Sequence, residues 1–343
     1  MNPSPPPRPL GLGQKITYGL PALALAVVGI PVYVHIPKFY TDVVGVGITW
    51  VGAVLMLARL FDALSDPLMG IVSDRTRTRL GRRRPFILGG SVCLTAAMFF
   101  LFVPPQMGTT AALVWFAGSI AALFFFWTIV TVPYEALGPA LTRDYTERTS
   151  LFAWRDGMLI AGTLLAAASP AVIDALQGPA AGAQGQRQKF LWIALIYAPM
   201  LIGTCWWCVF RVREPEDAAG TAMTTNLRDL GAVLRNRPFL ILLTSYTIGA
   251  IGSNLPATLI LYYVEYVLES NRADLFLFLY FASGILMLPM WIRWSRRFGK
   301  KKAWLASMAI NTGAFSAVYF LGPGDEWRYA VLVVISGMGF GAT

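Results

Sequence analysis

The chain is short of the residues that most often do chemistry in water. Its 343 residues include one histidine and three cysteines, and only 13% carry a charge. With a single histidine and no grouping of nucleophile, base and acid, an enzyme is the least favoured class. Cys93, Cys205 and Cys208 all fall in apolar runs. The stretch "CWWC" (205–208) has the spacing of a redox or metal pair, but no His, Asp or Glu stands near enough to complete a site, so it reads as packing. Cys208, near one end of its run, is a minor candidate for lipidation.

Charge is absent over whole stretches. There are 22 uncharged residues between Lys15 and Lys38, 21 between Lys189 and Arg211, and 27 between Arg237 and Glu265. From Pro85 to Thr142 the one charge is Glu135, and the turn-like "PPQMGTT" (104–110) divides that stretch in two. Runs of about 20 apolar residues cross roughly 30 Å of hydrocarbon as helices. At 56% apolar residues and a mean hydropathy of +0.58, the solvent of this chain is lipid. The expected fold is all-α and polytopic, with ten spans, the tenth running to the end of the chain.

Acidic residues are also scarce, 18 against 28 basic ones, for a net charge of +10. Placement says what the excess is for. With the N-terminus inside, 22 of the 28 basic residues fall in inner loops and 5 in outer ones, and Arg59 lies within a span. That is the positive-inside bias of a multi-pass protein, which sets aside a nucleic-acid partner and predicts a bacterial-type inner membrane with a cytoplasmic N-terminus. The opening "MNPSPPPRPLGLGQK" lacks the apolar core and cleavage site of a secretory signal, so the first span is expected to be retained.

The longest polar stretch, 211–237, divides the chain into an N-terminal six-helix bundle over 1–210 and a second bundle over 238–343. The halves echo each other: "SDRTRTRLGRRRP" follows the second span and "RWSRRFGKKKA" the eighth, their glycines 218 residues apart. Paired halves are common in secondary transporters, whose sites form near the midplane between them. A matching six-span second half would place 10 of about 12 spans in this chain.

Three charges interrupt the second span in "ARLFDALSDPLMG" (58–70). Counted from Ile48, Arg59 lies about 16 Å deep, Asp62 about 21 Å and Asp66 about 27 Å. Their i, i+3, i+7 spacing sets all three on one face, a stripe that Gly70 and Ser73 extend. A carboxylate in the bilayer core costs on the order of 3 kcal/mol, so this face looks onto a polar cavity, and such residues mark ion or substrate paths. Two aspartates one turn apart can hold a monovalent cation or share a proton, with Arg59 balancing them when the site is empty. The alternative is structural: Arg59 and Asp62 neutralise each other and Asp66 anchors the basic loop.

The stretch from Lys15 to Leu88, above all "YTDVVG", "ARLFDALSDPLMG" and the loop closing on "GRRRPF", resembles the glycoside, pentoside and hexuronide cation symporters. This is the melibiose permease family within the major facilitator superfamily. The segment "VPYEALGPALTRDYTERTSLFAWR" (132–155) resembles the same family's passage from span four into span five. The resemblance implies two helical bundles and assigns cation coupling to Asp62 and Asp66, by sodium or a proton, with no other cofactor. Where melibiose permease carries further acids on its first and fourth helices, this chain has Ala26 and Thr131, and Glu135 stands in place of the sugar-stacking tryptophan. The galactoside contacts are therefore not carried over. Thr131 can still offer an oxygen to the cation, and Arg155 falls within one residue of an arginine of the family's substrate site.

Tyr33, Glu135 and Asn254 complete the candidate substrate contacts together with Arg59 and Arg155. Asn254 and Pro256 suggest a broken seventh helix lining the cavity. Asp74, Arg75 and Arg82 are the candidate inner gate. The expected activity is cation-coupled symport of a small polar solute, a glycoside or related sugar, by a monomer in contact with membrane lipid. Two other readings stay open: a transporter of an amphiphile or drug, and a non-transporting scaffold or subunit of a larger membrane complex.

Overall fold

The computed structural model describes residues 10–142, 144–178, 182–212, 214, 236–270 and 272–340. Most of the expected connector, 215–235, lies outside the described residues. Among those described, ten helices follow one another: α1 (Leu12–Val44), α2 (Ile48–Arg75), α3 (Arg84–Phe102), α4 (Thr109–Leu141), α5 (Tyr145–Gln177), α6 (Gly182–Arg211), α7 (Arg237–Tyr266), α8 (Ala273–Phe298), α9 (Lys300–Ala317) and α10 (Glu326–Phe340). Seven of them, α1 to α6 and α8, are long and apolar enough to cross a membrane. The chain is a multi-pass membrane protein.

Within α1 to α6 and within α7 to α10, short connections make successive helices antiparallel, so loops alternate between two ends. One end carries Lys15, the arginine-rich loop between α2 and α3, and the end of α6; it is called the basic end below, and the other the far end. α1 packs against α5 and α6, α2 against α4, and α3 against α4 and α6. Within a membrane there is no water to expel from between helices, so close packing of small residues does the work. Gly162 of α5 sits on the backbone carbonyl of Leu23 in α1, and Gly90 of α3 places its backbone where an added methyl would lie 2.8 Å from Ile129 of α4.

α1 is not a uniform helix. Pro31 and Pro37 have no N–H to donate, and the helix widens into π turns at Pro31–His35 and Tyr40–Val44. Tyr33 sits in the first of these. α7, by contrast, runs unbroken through Asn254 and Pro256, where a broken helix was expected. The first six helices share one apolar core. A second core gathers Ile260, Leu261 and Val264 of α7, Phe276 and Leu277 of α8 and Tyr329 of α10, and it takes in Val34 of α1 and Ala167 of α5.

Candidate functional site

The acid pair of α2 meets α4. The Thr128 hydroxyl lies 2.8 Å from Oδ1 of Asp62 and 2.8 Å from Oδ1 of Asp66. Thr128 itself is buried, and Ser65, between the two acids, turns its hydroxyl to the Asp62 carbonyl at 3.0 Å. A hydroxyl owns one hydrogen. Both carboxylates thus compete for the one Thr128 hydrogen, a competition that a proton or a cation among them would relieve. The three oxygens form a pocket in which two carboxylates face a single hydroxyl hydrogen.

That pocket faces open space. Asp66 is exposed and the Asp62 side chain is 19% exposed. Arg59 leans only loosely on Asp62, Nη1 to Oδ2 3.9 Å, and its guanidinium lies 4.2 Å from the centre of the Tyr33 ring and 5.0 Å from that of Phe124. The two rings stack on each other with centres 6.0 Å apart, and the cation lies to one side of the pair, within cation–π reach of both. The structure brings Arg59, Tyr33, Asp62 and Asp66 together, four residues expected in the site from sequence.

Thr131 does not occupy the place expected of it. Its hydroxyl donates to the carbonyl of Trp127, 3.0 Å away in its own helix, and Thr128, one turn earlier, takes the acid pair. Thr128 and Phe124 were both missed. Thr128 shares a helical face with Thr131, so the sequence offered both hydroxyls; which one meets α2 depends on the register of α2 against α4. Phe124 carries no signal that distinguishes it from a lipid-facing ring.

Glu135 lies two turns beyond Thr128 on α4, about 10 Å toward the basic end. It is exposed and within electrostatic reach of Arg155 and the Tyr18 hydroxyl. Arg155 holds Asp156 through two nitrogens, at 2.9 and 2.8 Å, and lies over Phe152. These two candidates form a second polar group below the acid pair. The backbone at Asn254 belongs to α7, but its side chain lies outside the described residues.

At the basic end, Asp74 pairs with Arg83 at 3.2 Å, and Arg75 is exposed. The centre of this group is Glu214, beyond α6 and absent from the expected set. Its Oε2 accepts the backbone N–H groups of Arg82, at 2.8 Å, and Arg83, at 3.2 Å. Its side chain, 5% exposed, also lies 3.9 Å from the Arg82 guanidinium and 3.8 Å from that of Arg83. Arg84 reaches the Val209 carbonyl. These contacts fasten the arginine loop to α6 within the first six helices. A lone Glu after a span gives no signal for such a role.

Comparison with known proteins agrees with this architecture. Residues 17–343 match the family described as MFS/sugar transport protein. The inner membrane symporter YicJ of Escherichia coli (strain K12) is 31% identical over 262 residues, 76% of this chain and 55% of that protein. A Bacillus subtilis (strain 168) protein named uncharacterized symporter YjmB is 24% identical over 340 residues, 96% of this chain and 72% of that one. The chain thus spans little more than half the length of the first relative. A crystal structure of a D-xylose-proton symporter superposes with a TM-score of 0.64 at 15% identity, over 95% of this chain and 79% of that one, a likeness of fold.

Proposed function

The chain belongs to the MFS/sugar transport protein family, and on that premise we propose that it is a secondary transporter coupling the movement of a small polar solute to one cation. The solute class is a sugar or glycoside, in keeping with the family's description and with the names of its symporter relatives. The cation is a proton or sodium, with no other cofactor. The membrane is a bacterial inner membrane, and the basic end, carrying the N-terminus, is cytoplasmic. The working unit is a monomer.

The observation that carries this reading is the shared hydroxyl of Thr128, 2.8 Å from both Asp62 and Asp66. Empty, the pocket sets two negative charges against one hydroxyl hydrogen; filled by a cation, it is neutralised to a single net charge that Arg59 balances. Arg59, resting beside the stacked rings of Tyr33 and Phe124, then answers the state of the pocket and meets the solute. Glu135 and Arg155 would contact the solute's more distant hydroxyls.

Uptake of radiolabelled xylose, methyl glucoside and glucuronate into vesicles under an imposed proton or sodium gradient tests the proposal. Asp62→Asn is expected to cut gradient-driven accumulation by about tenfold or more while leaving the folded protein intact. Undiminished accumulation in that variant would remove Asp62 from coupling.

A further inference from the structure

The described polar contacts between the two halves lie at the far end, and they are built around two lysines. Lys38 of α1 lies 2.8 Å from Asp42, one turn on in its own helix, and in contact with Glu265 of α7. Its ammonium also lies over the rings of Tyr262 and Tyr266, and the neighbouring Thr41 hydroxyl is 3.1 Å from that of Tyr262. Lys189, near the start of α6 and 9% exposed, lies 2.7 Å from Asp174 of α5 and 3.6 Å from Asp274 of α8. His35 of α1 stands 3.8 Å from the same Asp274.

The two sites share a pattern. Each lysine binds one acid of its own half, Asp42 or Asp174, and one acid of the other half, Glu265 or Asp274. Beneath them, Val34 and Ala167 of the first half join Ile260 and Val264 of the second in a buried apolar layer. A buried ammonium stripped of every partner is strongly unfavourable. Here, however, separation of the halves would leave each lysine its own-half acid, and Glu265 and Asp274, already 45% and 26% exposed, would go to water.

We propose that these lysines form a latch that closes the far-end entrance between the halves, each with a resident acid that keeps it neutralised when the latch opens. This rests on the transporter reading above. In the state seen here the latch is shut, while the arginine loop and Glu214 at the basic end bond within the first half. The lysines therefore govern which side the acid pair can be reached from. The resident acids make that switch reversible.

The test uses the full chain with Cys93, Cys205 and Cys208 replaced by serine and Val34→Cys as a reporter beneath the latch, in right-side-out vesicles. A membrane-impermeant maleimide is applied from outside. Glu265→Gln is expected to raise the labelling rate by about fivefold or more, since removing a cross-half partner shifts the population toward the open state. Asp274→Asn, at the other lysine, is expected to do the same and decides the matter if Glu265→Gln fails to fold. Unchanged labelling in the folded variants would overturn the latch.

The swap Lys38→Glu with Glu265→Lys separates closing from reopening. It rebuilds one lysine between two acids, so labelling should fall back to the parent rate. It also leaves the lysine without an acid in its own half, so turnover should be slower than the parent's. Parent-like turnover in the swap would overturn the role of the resident acid. Because labelling needs no solute, it reports on the latch even if the coupling reading fails.

Discussion

Tyr18 of α1 and Tyr134 of α4 each direct a hydroxyl at the other's backbone carbonyl. Tyr134 donates to the Tyr18 carbonyl at 2.7 Å and Tyr18 to the Tyr134 carbonyl at 3.5 Å, with the rings 5.1 Å apart. Both side chains are buried, so neither hydroxyl has water to fall back on.

The two bonds should therefore be unequal. Tyr134→Phe is expected to lower stability by about 1 kcal/mol, and Tyr18→Phe by clearly less, since a contact at 3.5 Å is at the limit of hydrogen bonding. Thermal unfolding of the detergent-solubilised protein would measure both, and a larger loss in Tyr18→Phe would contradict the geometry.

Thr128 and Thr131 offer a sharper contrast. Thr128→Ala removes the oxygen between the two aspartates and should weaken apparent cation affinity by about tenfold, or roughly 1.4 kcal/mol, whereas Thr128→Ser should retain most of it. Thr131→Ala removes only a bond to its own helix and should leave cation affinity unchanged. Titrating gradient-independent solute binding against sodium and pH compares the three.

Glu214 gathers two backbone N–H groups in a site that excludes water. Glu214→Ala is expected to cost about 1–3 kcal/mol, and Glu214→Gln less, because the amide oxygen still accepts. Gly81→Ala should be as harmful as Glu214→Ala: its φ is +107°, and an added methyl would lie 2.5 Å from the Glu214 carboxylate. Limited proteolysis of the arginine loop, alongside thermal unfolding, reads out both.

Gly162 tests the packing that positions α1. Any side chain there meets the Leu23 carbonyl, which is backbone and cannot swing aside. Gly162→Val is expected to lose more stability than Gly203→Val, which has open space around it, and to disturb Tyr33 and the Arg59 clamp through α1. Unfolding midpoints of the two variants make the comparison.

Much of this protein was determined by the sequence alone. Charge-free runs of helical length imply spans because an unpaired backbone cannot be left in hydrocarbon, and the basic residues mark one end because charge follows the loops. The stripe of Arg59, Asp62 and Asp66 was legible for the same reason: periodicity puts three costly groups on one face, and that face must look onto something polar. Periodicity acts along one helix at a time. It could not choose Thr128 over Thr131, because that choice is the register of α4 against α2. It could not find the Phe124 half of the clamp, since an aromatic ring reads alike whether it meets lipid or a guanidinium. Glu214 and the acids that share Lys38 and Lys189 come from distant parts of the chain, and only the packing of the helices, set by contacts such as Gly162 on Leu23, brought them within reach of one another.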